Sequence, residues 1–186
     1  MLPSVKASLI TTFDASFAAV MAELGLDQAP GYVTALSGGP DSTALALLTQ
    51  RYADAAGKHH HAVIVDHGVR DGSGNEAERV QTRLRRFGIA SDIIQITEPR
   101  PTAGLQEWAR TKRHHVLLSA ARQKKAALLF AHHASDQAET VAMRLLKSSG
   151  LNGLGGIACY RMQHDVVVAR PVLGWMPDQL KAVCHH

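Results

Sequence analysis

The segment Ser37-Gly38-Gly39-Pro40-Asp41-Ser42 brings together residue types suited to phosphate chemistry. Paired glycines let backbone N–H groups approach an anion, and a helix starting just after them would aim its positive N-terminus at the same spot. The loop contains no GK[ST] and lacks the GxGxxG spacing of dinucleotide loops. Where a phosphate loop would carry a lysine, this one carries Asp41. A carboxylate beside a phosphate is repulsive unless a dication lies between them, so Asp41 points to Mg²⁺ as the bridge. The competing structural reading is a tight strand–helix turn with Asp41 or Ser42 as helix N-cap.

A second set of chemistry-bearing residues lies downstream. Asp136 follows an apolar segment, as Asp41 does, and a parallel sheet could bring the two to one edge as a pair of hard oxygen ligands. As a structural residue Asp136 would be an N-cap. Arg110 and Arg113, three positions apart, share a helix face and suit charge developing on a phosphate; a surface salt-bridge face is the alternative. His132 and His133 precede Asp136, and one of them is expected to contact phosphate or carry a proton, the alternative being a buried, hydrogen-bonded histidine. Glu139 is placed to orient Arg110. Arg79, Arg83, Arg85, Arg86, Lys112, Arg122, Lys124 and Lys125 could meet RNA phosphates, although most read as solvated helix faces.

The elements that must position these groups are legible in the hydrophobic pattern. Ile10, Phe13, Phe17, Val20, Met21 and Leu24 predict a helix packed on the body of the protein. Tyr32–Leu36, His61–Asp66, Ile89–Ile96, Ala127–Ala131 and Val166–Ala169 read as five strands. Helices are expected after the glycine loop (stripe Ala44, Leu45, Leu47, Leu48, Tyr52), from Glu76 to a C-cap at Gly88, and over Leu105–Arg122 with Trp108 in the core. A further helix spans Asp136–Lys147, with Val141, Leu145 and Leu146 inward. The alternation predicts an α/β fold, a doubly wound parallel sheet of about five strands with helices on both faces. Ligands then bind at the carboxyl edge, at the topological switch point. The triplet His59-His60-His61 reads as a solvated loop rather than a metal site.

Composition narrows the class. The chain has 186 residues, 46% hydrophobic and 19% charged, which excludes a disordered or coiled-coil protein and fits one domain. A net charge of +4 permits a polyanionic partner without demanding one. Two isolated cysteines, Cys159 and Cys184, argue against a disulfide scaffold, a cysteine zinc site or an iron–sulfur cluster, and favour a reducing cytoplasm. No apolar run suits a membrane span, and Asp14 and Glu23 interrupt what would be a signal-peptide core.

The glycine loop resembles the SGGxDS loop of the PP-loop ATP pyrophosphatases, which cleave ATP to AMP and pyrophosphate. Further segments resemble the tRNA(Ile)-lysidine synthetase family: Val65 to Arg70 its DHGLR stretch, Gln106 to Arg110 with Arg113 its QExAR..R helix, and Ala131 to Thr140 its AHHxDDQxET segment. Ser149 to Ile157 and Arg170 to Leu173 match its SGxxGLxGM and RPLL elements. The likeness runs from Tyr32 to Leu173. It implies a catalytic N-terminal domain in which Ser37, Gly38, Gly39, Pro40, Asp41, Ser42 and His67 hold ATP, with His67 and Arg70 bordering adenosine. Asp41 and Asp136 would hold Mg²⁺, and Arg110, Arg113 and His133 would act with them in catalysis. The implied partners are tRNA(Ile) with a CAU anticodon and free L-lysine, and a homodimer is left open. Ser135 stands where the family has aspartate, which is expected to tune rather than abolish the reaction. The family continues beyond the point corresponding to His186 into tRNA-gripping regions. Residues 1–186 are therefore expected to form one catalytic domain, with 1–30 packed on it and 174–186 opening such a region. The rivals are a thiocytidine-forming relative, disfavoured by the lack of paired cysteines, amide-forming relatives such as GMP or NAD synthetases, and a nucleotide-binding remnant without turnover.

Overall fold

A computed structural model describes residues 3–66, 73–99, 101–146 and 155–185. Side chains of residues 3–10 and of Ser73 are outside that description. Its elements, in chain order, are α1 (Pro3–Glu23), a short 3-10 turn (Leu26–Gln28), β1 (Gly31–Leu36), α2 (Pro40–Ala56), β2 (His59–Asp66), α3 (Ser73–Arg85) and β3 (Ser91–Gln95). They continue with α4 (Leu105–Gln123), β4 (Ala127–Leu129), α5 (Ala134–Leu146), β5 (Tyr160–Gln163), β6 (Val166–Ala169) and α6 (Pro177–His185).

The strands form one sheet in the order β3-β2-β1-β4-β6-β5. All pairings are parallel except β5 with β6. The chain builds outward from β1 through β2 to β3, then crosses to the other side of β1 to lay down β4. That reversal creates a crevice at the carboxyl ends of β1 and β4. β1 is buried along its whole length because both faces are covered. Its alternate side chains feed two cores. Tyr32 and Leu36 join Phe17, Met21, Leu45, Leu48, Leu84, Leu180 and Val183 from α1, α2, α3 and α6 on one face. Val33 and Ala35 join Leu117, Leu118, Ala120 and Ala121 of α4 on the other.

Four expectations change. The sheet has six strands, because Tyr160–Gln163 adds an antiparallel edge. It is joined to β6 by His164 and Asp165, both at positive φ (48° and 62°), the backbone of a two-residue hairpin turn. The histidine triplet opens β2 instead of forming a loop: His60 is buried, with Nε2 2.9 Å from Thr34 Oγ1 and Nδ1 2.9 Å from Gln50 Oε1. Trp108 is only half-buried, and the core side of α4 is carried by Leu117, Leu118, Ala120 and Ala121, near its other end. In α5 no side chain is fully buried, and Leu145 and Leu146 point outward, Leu146 being 86% exposed. Among the described residues no helix is long and apolar enough to cross a membrane.

Candidate active site at the switch point

The loop after β1 is shaped by hydrogen bonds of its own. Gly38 sits at φ 86°, and a Cβ there would lie 2.9 Å from Val80 Cγ2, so both backbone and space demand glycine. Gly39 is the N-cap of α2 and Pro40 opens the helix, its fixed φ and missing N–H being suited to that position. Asp41 and Ser42 are therefore inside the first turn and not caps. Ser42 Oγ accepts the Ser37 N–H at 3.2 Å and donates to Gly39 O at 3.1 Å, and Thr43 Oγ1 donates to the same carbonyl at 2.9 Å. Ser42 thus braces the loop, and the Ser37 amide is already engaged.

The loop after β4 supplies the opposing wall. α5 begins at Ala134, whose N–H donates to Trp175 O at 2.9 Å. Asp136 Oδ2 accepts the His133 N–H at 2.8 Å, the backward half of a capping box, so Asp136 stands at the third helical position and not at the N-cap. The His133 ring lies between the two carboxylates, Nε2 3.7 Å from Asp41 Oδ2 and Nδ1 3.6 Å from Asp136 Oδ2. Residues 95 positions apart (136 − 41) thus reach opposite nitrogens of one imidazole.

Between these walls lies a cavity of about 980 Å³. Ser37, Asp41 and Ser42 line it from the first loop, His132 and Asp136 from the second, and Arg110, Arg113 and Glu107 from α4. Gly38, Gly39 and Pro40 shape the turn without lining the cavity. Both arginines predicted to share a face do so; burial lowers the Arg113 pKa. No hydrogen bond or ion pair joins Glu139 to Arg110 among the described residues, although both line the cavity. The predicted roles of His67 and Arg70 fall outside the described residues, as does the stretch from Ser149 to Leu154.

Several residues in or beside the cavity wall carry no role in the sequence pattern. Arg144 Nη1 donates to Gly156 O at 2.9 Å, and Gln137 clasps Ile157 by accepting its N–H (2.6 Å) and donating to its carbonyl (3.3 Å). Gly156 must be glycine here, at φ 63° with Gln137 atoms within 2.8 Å of a would-be Cβ. Arg161 and Arg170 bring further positive charge from β5 and from the end of β6. Arg170 directly follows an apolar strand at the carboxyl edge, a signal that could have marked it.

A metal fits this arrangement only in one way. Among the described residues no three His, Cys, Asp or Glu side chains are grouped to hold an ion. Two carboxylates on the wall of this cavity suit Mg²⁺, which usually takes one or two carboxylates and completes its shell with phosphate oxygens and water.

Loop, carboxylates and switch-point crevice together define a phosphate-handling α/β domain, and residues 9–186 match the PP-loop domain family, to which this chain belongs. The chain is 43% identical over 162 residues to a tRNA(Ile)-lysidine synthase of Methylobacterium nodulans, covering 87% of this chain and 47% of the relative. It is 40% identical over 151 residues to the tRNA(Ile)-lysidine synthase of Bradyrhizobium sp. BTAi1, covering 80% and 42%. The chain thus spans about half the length of the curated relatives it matches. Among solved structures, the fold resembles the U34-tRNA thiolase NcsA from Methanococcus maripaludis (TM-score 0.75, 18% identity, 93% of this chain and 63% of that one). It also resembles an NH3-dependent NAD synthetase from Campylobacter jejuni (TM-score 0.59, 18% identity, 97% and 72%).

Proposed function

We propose that this chain is the catalytic domain of a tRNA(Ile)-lysidine synthetase, with residues 1–186 forming one PP-loop unit. The observation that carries the reading is the convergence of Asp41 and Asp136 on one imidazole in the wall of an arginine-lined cavity at the β1/β4 switch point. The names of the relatives supply the substrate.

In this reading ATP binds over the glycine loop at the N-terminus of α2, whose dipole favours phosphate. Asp41 and Asp136 would hold Mg²⁺, which supplies neutralisation of phosphate charge and polarisation of a phosphoryl oxygen. The wobble cytidine carbonyl oxygen attacks the α-phosphorus and pyrophosphate leaves. The free amine of L-lysine then attacks the adenylated carbon, and the carbon–oxygen bond to AMP breaks. Arg110 and Arg113, on one face of α4, stabilise the charge that develops on the phosphate. Ser42 keeps the loop in register, and the His133 ring lies between the two carboxylates. The reaction is one of the cytoplasm, where ATP, tRNA and lysine coexist.

Incubating the protein with ATP, Mg²⁺, unmodified tRNA(Ile) and labelled lysine tests the reading. Label should enter acid-precipitable RNA only when the anticodon is CAU. Lysine incorporation that ignores the anticodon, or none in the presence of AMP formation, would contradict it.

A further inference from the structure

His132 and His133 are neighbours in sequence, yet the fold gives them different partners. His133 faces two carboxylates. His132 faces Arg170, whose Nε donates to its Nδ1 at 3.2 Å. Arg170 is itself fixed on every side. It is 8% exposed, its Nη1 donates to Ala158 O at 2.7 Å, its backbone N–H donates to Cys159 O at 2.8 Å, and its guanidinium lies 5.7 Å over the Phe130 ring. The Phe130 ring also lies 5.8 Å from that of His132. Rotation of either side chain away from the contact is therefore opposed by packing.

The direction of this hydrogen bond follows from chemistry alone. A guanidinium has five N–H donors, no acceptor, and stays protonated in proteins. His132 Nδ1 must then present a lone pair. A neutral imidazole has one proton, so it sits on Nε2. No hydrogen-bond partner meets Nε2 among the described residues, and His132 lines the cavity. We propose that Arg170 is a positioning residue that locks His132 in the Nε2–H tautomer, making it a fixed hydrogen-bond donor to a phosphate oxygen of the bound nucleotide. Burial, followed by the charge of Arg170, also lowers the pKa of His132; Asp136 acts in the opposite sense, and Arg110 and Arg113 add to the lowering. The neutral ring is therefore the stable one. Of the two roles expected for this histidine pair, phosphate contact and proton carriage, this assigns His132 the first, since its lone-pair nitrogen is occupied by Arg170. The identity of the accepting oxygen rests on the adenylation reading; the tautomer does not.

Long-range ¹H–¹⁵N spectra of the ¹⁵N-histidine-labelled protein at neutral pH read the tautomer directly, with His132→Gln assigning the signal. A protonated-type Nε2 and an unprotonated-type Nδ1 are expected. The opposite pattern, or two protonated nitrogens, overturns the proposal whatever the enzyme acts on. In Arg170→Gln the two nitrogen shifts should move toward the exchange average; unchanged shifts remove Arg170 from the role. If that variant does not fold, the unsubstituted protein's spectrum still decides the tautomer. For function, His132→Gln keeps an N–H near the position of Nε2, whereas His132→Ala keeps none. AMP release should fall by about 10²-fold in the alanine variant and by roughly 10-fold or less in the glutamine variant. Equal losses overturn the donor role. A protein with the expected tautomer and no AMP release refutes the adenylation reading and leaves the positioning role supported.

Discussion

Asp41 and Asp136 were legible as single letters because an acidic residue just beyond an apolar segment, in a loop otherwise suited to phosphate, invites an explanation. Their convergence at one sheet edge was also legible from the strand–helix alternation, but the placement of His133 between them was not, since it depends on how the two loops face each other. The same holds for Arg170 and His132, 38 positions apart. Replacing either carboxylate by its amide, Asp41→Asn or Asp136→Asn, keeps the shape and removes a charged oxygen ligand. Each should lower Mg²⁺-dependent AMP formation by about 10²-fold or more with the circular dichroism spectrum unchanged. Mg²⁺-dependent turnover at the unsubstituted rate would defeat the metal assignment. His60 offers a test of the fold at the same scale. Burial, aided by the neighbouring charges of His61 and His59, pushes its pKa down to about 3. The unfolded chain takes up a proton near the ordinary value of about 6.5 while the folded chain does not, so stability is full above that pH and falls as pH drops toward 3. The slope approaches about 1.4 kcal/mol per pH unit. Urea unfolding at pH 6.5 and 5 should show a loss larger by about 2 kcal/mol than in His60→Gln, which cannot titrate. Parallel losses in the two proteins would show that His60 is not held neutral.

Among the elements, those with continuous apolar runs or strong helical stripes were readable: β1, β6, α1 and α2 lie where the pattern places them, while β2 starts two residues earlier and β4 ends two residues sooner. β5 was hidden because Tyr160-Arg161-Met162-Gln163 lies at an exposed edge with little burial to leave a trace, and its turn uses His164-Asp165 instead of the glycine-bearing pairs that advertise a hairpin. α5 shows the complementary error. Its periodic leucines identify a face but not what the face meets, and Leu145 and Leu146 end up outside. α6 has the reverse character: Leu180 is fully buried against the core shared with α2, and Cys184 Sγ reaches Pro40 O at 3.3 Å, tying this helix to the phosphate loop. Two substitutions separate these situations. Leu180→Ala should destabilise the protein by about 2–5 kcal/mol, as buried leucine truncations do. Leu145→Gln with Leu146→Gln should change stability by no more than about 0.5 kcal/mol per site. Chemical denaturation reads both, and a large loss from the α5 pair would mean that its apolar face is covered in the folded protein.

At the scale of the whole molecule, the sheet order explains how the candidate site is assembled. A single reversal at β1/β4 puts the glycine loop, the α5 N-terminus and the arginines of α4 around one cavity, while the two cores beneath hold the strand ends fixed. The chain provides these parts in about half the length of its curated relatives, and its net charge of +4 is only a modest positive excess for holding an RNA. Binding through phosphate contacts alone gives Kd values of roughly 10⁻⁴ to 10⁻⁶ M at physiological salt, so turnover should be sought at tRNA concentrations in that range. The most direct test of the account follows the fate of ATP labelled at the α-phosphate, with Mg²⁺, unmodified tRNA(Ile) and lysine supplied together and then omitted one at a time. Pyrophosphate should form only when RNA and Mg²⁺ are present, with the labelled AMP retained on the RNA until lysine is added and then released in equal amount. Formation of ADP and inorganic phosphate, or ATP binding with no turnover under any combination, would contradict it.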